Sequence, residues 1–129
     1  MTFSADIARF AEKAGESLDR TVRMVTLELF SAVIKSTPVD EGRARGNWQT
    51  TTGSPASGEL DIRSEAATLA ELKANVGGAG KVAYLANNLP YIYRLEMGWS
   101  KQSPPHAMVR GNFQRIESMI SKAARENRV

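Results

Sequence analysis

Apolar residues recur at Ile7, Phe10, Ala14, Leu18, Val22, Val25, Leu29 and Val33, at the three- and four-residue spacings of one helix face, and predict a helix over 4–36. Ser4 offers a cap at its start, and Pro38 ends it by disfavouring helical geometry at Thr37. The stripe is narrow before Val22. Beyond it Met24, Leu27, Phe30 and Ile34 widen it, so the second half reads as core and the first as a one-sided arm. A helix of that length would span about 50 Å at 1.5 Å per residue, against a diameter of about 36 Å for a compact chain of this size. Residues 1–20 are thus expected to overhang as an extended helical arm, with Phe3, Ile7 and Phe10 needing another surface. The alternative is a break near Gly15 with the arm folded back.

After Pro38 the period changes. Arg43, Arg45 and Asn47 alternate with Ala44, Gly46 and Trp48, and Thr50 to Thr52 add β-branched residues, so strands are expected between 43 and 63. Residues 53–58, rich in Gly, Ser and Pro, read as a hairpin tip, and Leu60 to Arg63 as the returning strand. Ser64 starts a short helix through Leu69, Leu72 and Ala74 that ends at Gly77–Gly80. Val82 to Leu85 is a further strand, and Pro90 opens one or two helical turns ending at Gly98 with Ile92 and Leu95 inward. Trp99 to His106 reads as a loop held by Pro104 and Pro105. A closing helix over 107–126 carries Val109, Phe113, Ile116, Ile120 and Ala123 on one face. The result is an α+β fold in a single domain over 1–129: a long N-terminal helix, a small antiparallel β-sheet, a short middle helix and a C-terminal amphipathic helix.

Composition changes this picture little. At 129 residues, 42% hydrophobic and 24% charged, the chain is large enough for one core. No run of eighteen uncharged apolar residues predicts a membrane span, and Asp6, Arg9, Glu12 and Lys13 are unlike a secretory leader. With no cysteine, the sequence offers neither a disulfide framework nor a thiolate zinc site, which fits synthesis in a reducing cytoplasm. The net charge of +3 is unevenly placed: from Arg94 onward seven basic residues stand against three acidic ones, whereas residues 1–37 hold five of each sign. A basic C-terminal third suits either a solvated face or contact with nucleic acid or an acidic partner.

Catalytic constellations are not evident. His106 is the only histidine, in a loop beside Pro105 and without a Gly-x-Ser-x-Gly elbow. Gly77-Gly78-Ala79-Gly80-Lys81 lacks the earlier glycine and the following Ser/Thr of a phosphate loop, where Asn75 and Val82 stand instead. Asp40 and Glu41 fit a turn closed by Gly42 better than an acid–base pair. No cofactor, metal site or enzymatic activity is expected.

Two dense blocks remain. Thr37-Pro38-Val39-Asp40-Glu41-Gly42-Arg43-Ala44-Arg45 with Asn47-Trp48 resembles the signature of small neck and tail-completion proteins of long-tailed bacteriophages, with Glu41 at a turn position where threonine is commoner. Asn87 to Ile92, then Leu95 to Gln102 and on to Met108-Val109-Arg110, is similar to the C-terminal half of the same family, although the Ser103 to Ala107 loop departs from its pattern. The likeness runs from about Ser36 to Phe113. It implies a virion structural protein made in the bacterial host cytoplasm, with a fold like those of tail-terminator and head–tail joining subunits. Such subunits assemble as rings of identical copies around the DNA channel, against head-connector and tail proteins. Motif or interface positions are then Asp40, Gly42, Arg43, Arg45, Trp48, Tyr91, Glu96 and Trp99. Trp48 suits either the core or an interface, and Trp99 an interface. Arg43 and Arg45 have two partners open to them, Glu96 within the subunit or an acidic group on a neighbour. Arg94, Lys101 and Arg110 are the positions for weak, non-specific contact with DNA in the channel. The alternative is a small basic DNA-binding protein acting outside the particle.

Overall fold

Residues 16 to 36 fold as a helix because two of its faces find apolar partners at once. The computed structural model describes residues 2–6, 16–38, 43–77, 82–98 and 107–126. In it α1 (Glu16–Ser36) buries Val22, Val25, Leu29, Phe30, Val33 and Ile34 and packs against three later helices, α3 (Glu65–Asn75), α5 (Met108–Phe113) and α6 (Ile116–Glu126). Its apolar circumference, wide from Met24 onward, matches that surround. Thr37 ends it, donating through Oγ1 to the Val33 carbonyl at 2.8 Å.

Thr2–Asp6 does not continue this helix toward the N-terminus. It is strand β1, and with β2 (Gln49–Thr52) and β3 (Val82–Ala86) it makes an antiparallel sheet of order β1-β3-β2. Expecting a helix from residue 4 was therefore incorrect for these residues, while 7–15, Gly15 included, lie outside the described ones. The cap reading of Ser4 misled there. The helical stripe begins only at Ile7, and its extension back to Ser4 rests on a possible cap. Thr2–Asp6 itself alternates polar and apolar, and pairing with β3 from Thr2 opposite Ala86 to Asp6 opposite Val82 supplies hydrogen bonds that an overhanging helix end lacks.

Arg43–Gly46 is also not a strand. It forms one helical turn, α2, closed by the Asn47 amide on the Arg43 carbonyl at 3.1 Å, with Ala44 and Gly46 buried. Asn47 explains the change. Its side-chain amide donates to the Arg43 carbonyl at 2.8 Å and to the Leu60 carbonyl at 3.0 Å, and its Oδ1 accepts the Leu60 amide at 2.7 Å. Leu60 is thus paired by a side chain in the way a strand neighbour would pair it, and Leu60 to Arg63 stays irregular rather than returning as a strand.

The remaining elements follow their local signals. Ser64 caps α3, its Oγ accepting the Ala67 amide at 3.1 Å. Helix α4 (Ile92–Met97) ends at Gly98, whose φ of 74° no β-carbon opposes. The closing helix is two helices, α5 and α6, with a turn at Gln114 and Arg115, and of the five residues expected to face inward all but Phe113 do so. Met108, Asn112, Met119 and Ala123 are buried, Val109, Ile116 and Ile120 pack at the margin, and Phe113 is 46% exposed. Asn112 draws α5 inward: its amide donates to Met108 and Ala32 carbonyls and to Ser36 Oγ, tying α5 to the end of α1. One core runs through all these elements, with Trp48, Phe30, Leu85 and Ile92 at its centre.

Candidate functional site

The two sequence blocks meet inside the molecule. Trp48 is fully buried and its indole Nε1 donates to Thr37 Oγ1 at 2.7 Å, joining both ends of the first block. Asn87, fully buried at the end of β3, donates through Nδ2 to the Ala44 carbonyl at 2.8 Å, so the second block holds the first. Its Oδ1 accepts the Leu89 amide at 3.2 Å, and Leu89 and Ile92 complete the core beneath. Asn88 reaches the other way, donating to the carbonyls of Ala56 and Gly58. The blocks are one framework rather than the two walls of a cleft.

A network around Arg63 supports this framework from the side. Its guanidinium donates to the Gly46 carbonyl at 2.6 Å, to the Trp48 carbonyl at 2.7 Å and to both oxygens of Glu71 at 3.1 and 3.2 Å. Glu71 in turn accepts the Thr50 amide at 2.9 Å, and Asn75 donates to the Thr50 carbonyl at 3.1 Å. Side chains of α3 thereby occupy the outer edge of β2, which would otherwise offer unpaired backbone groups. Gly46 is small for a reason: a β-carbon there would stand 2.7 Å from the Arg63 carbonyl oxygen.

Of the other candidate residues, Arg43 and Arg45 do not pair with Glu96. Arg43 pairs with Glu59 at 3.0 Å on the surface. Arg45 pairs with Glu65 at 3.3 Å and fans across the carbonyls of Lys35 and Thr37, so it closes the C-terminal end of α1, where a cation suits the helix dipole. Both carboxylates lie within about twenty residues in sequence, whereas Glu96 lies on α4.

Glu96 has another task. Only 2% exposed, it accepts the amides of Val109 and Arg110 at 2.8 and 3.1 Å, and Arg110 Nε at 3.1 Å. Arg110 Nη2 also donates to the Glu96 carbonyl, and the same carbonyl accepts the Ala107 amide. Ala107 adopts a left-handed φ of 48°, a conformation an L-residue holds only when its surroundings fix it. A buried carboxylate satisfied by three donors at the start of α5 is such a fixture. Arg110, proposed for a DNA channel, is half exposed but spends its guanidinium on this clasp. Arg94 and Tyr91 are exposed at α4, and Asp40, Gly42, Trp99 and Lys101 lie outside the described residues.

Sequence reasoning missed Asn47, Arg63, Glu71 and Asn87 as organisers. Asn87 was visible as half of an Asn-Asn pair directly after an apolar strand, where an amide side chain can replace lost ladder bonds. Arg63 carried no local signal, since all of its partners lie eight or more residues away in sequence.

Among the described residues, no three His, Cys, Asp or Glu side chains group to hold a metal ion, and no helix is long and apolar enough to cross a membrane. No family model matches the chain, nor does any curated protein or solved structure.

Proposed function

We propose that this chain is a non-enzymatic structural part of a tailed-bacteriophage particle, a ring-forming neck or tail-completion subunit joining the tail tube to the head connector around the DNA channel. The observation that carries the reading is the bonding of the two motif blocks to each other in one core, Asn87 to Ala44 and Trp48 to Thr37. Residues spent in this way build a shape, and a shape is what a joining ring requires of its subunit. Among the described candidates for facing DNA, Arg94 is exposed on α4 and Arg110 is half exposed and paired with Glu96. The test is loss of the chain during particle assembly. DNA-filled heads and separate finished tails are the expected products, and joined infectious particles would refute the reading.

A second reading, a basic DNA-binding protein outside the particle, draws on exposed Arg115, Lys122 and Arg125 along the turn before α6 and its outer face. It predicts a duplex complex whose affinity falls steeply with salt. Unchanged migration of duplex DNA at low salt would remove it.

A further inference from the structure

Between α1 and α3 runs an open groove of about 350 Å³ whose apolar lining is Met24, Leu27, Leu69 and Leu72. Three of these are only partly covered, so the groove leaves apolar surface in water next to the main core. Its rim is basic. Lys35 and Lys73 stand exposed on it, and Arg23, bonded to the Lys73 carbonyl, adds a third cation against the single carboxylate of Glu28.

Elsewhere on the same molecule an exposed aliphatic side chain stands beside an exposed carboxylate. Ile62 is 58% exposed, the most exposed aliphatic side chain among the large hydrophobics, in the irregular stretch before α3. Asp61 stands exposed beside it, and Glu59, at the start of the same stretch, is exposed with Arg43. Ile62 and Asp61 line a separate hollow of about 550 Å³ with Arg43 and Leu60, not the groove. Glu59 is neutralised by Arg43, so the charge that complements the lysines of the groove rim is that of Asp61, directly beside the exposed aliphatic side chain.

We infer that Ile62 and Asp61 of one copy dock into the α1–α3 groove of a second copy, Ile62 against Leu27 and Leu69 and Asp61 between Lys35 and Lys73. Knob and groove are different surfaces of one subunit, so the contact is head-to-tail and propagates into a closed ring or a filament. It names the contact that the ring reading requires and rests on that reading for its biological setting, though not for its physical argument. Two patches of roughly 800 Å² per subunit would occupy about a fifth of the 7590 Å² surface.

The contact is tested by charge exchange in the purified full chain, followed by sedimentation velocity across a concentration series. Asp61→Lys and the double variant Lys35→Glu/Lys73→Glu alter exposed side chains only, so both should fold, which circular dichroism checks. Each variant alone should lose self-association by at least about tenfold, because like charges then face each other across the contact. Mixed one to one, they should assemble within about threefold of the wild type. Ile62→Ser should weaken association by about tenfold or more through loss of the apolar knob. Variants that self-associate like the wild type would overturn the contact while leaving ring formation through another surface intact. A wild type that stays monomeric at high micromolar concentration would also overturn it, and the fate of particles lacking the chain would still decide the neck reading separately.

Discussion

Asn87 and Glu96 show how a single buried polar side chain can set a whole segment. Asn87→Ala leaves the Ala44 carbonyl with only the longer bond from the Asn47 amide at 3.3 Å and the Leu89 amide without its Asn87 acceptor. A loss of about 2–3 kcal/mol is expected, because an orphaned buried group forfeits its full solvation. Chemical denaturation should show it as a lower midpoint with an unchanged slope. Glu96→Gln keeps the size but replaces one accepting oxygen with an amide donor that faces backbone N–H groups. About 2 kcal/mol should be lost, or roughly 7 °C in Tm for a chain this long. An unaltered Tm would mean that the clasp on α5 is not formed in solution. Trp48 was legible as a core candidate from its place among small residues, and it is fully buried. The charged residues were not legible. Arg45 and Glu96 each have several chemically equivalent partners in the sequence, and only the fold decides which approaches within bonding distance.

At the level of elements, α3 acts as the brace of the sheet. Glu71→Ala removes the acceptor for the Thr50 amide and one end of the Arg63 fork, so exchange of the Thr50 amide with deuterium should quicken by at least about tenfold. Protection equal to the wild type would show that β2 needs no such cover. Helices bounded by strong signals were readable in the sequence: Ser64 at the start of α3, Gly98 at the end of α4, Pro38 after α1. Short alternations were not. Arg43 to Trp48 alternates like a strand yet turns as α2, because Asn47 satisfies the turn and Leu60 with one side chain. Ser4 reads as a helix cap, yet Thr2–Asp6 alternates polar and apolar and pairs with β3. The last helix reads as one element where a turn at Gln114 and Arg115 makes two. Its expected face holds at Val109, Ile116, Ile120 and Ala123 but not at Phe113, which lies outward beside the anchoring Asn112.

At the scale of the whole molecule, a helical core and a braced sheet hold two sequence blocks in one fixed framework. The α+β class was legible because the apolar periods of α1, α3 and β3 are each long or sharply bounded. The framework at the centre was not, because it is built from amide and guanidinium groups whose partners are distant in sequence. On the proposed reading, its outline and the placement of its surface charges are what copies of the chain and adjoining proteins would fit. The most direct measurement is a reconstruction of the intact phage particle by electron microscopy. The expected result is density for several copies of this fold in a ring around the DNA path, between head connector and tail tube. Particles complete in neck and tail, with no density for this chain at that junction, would contradict the account.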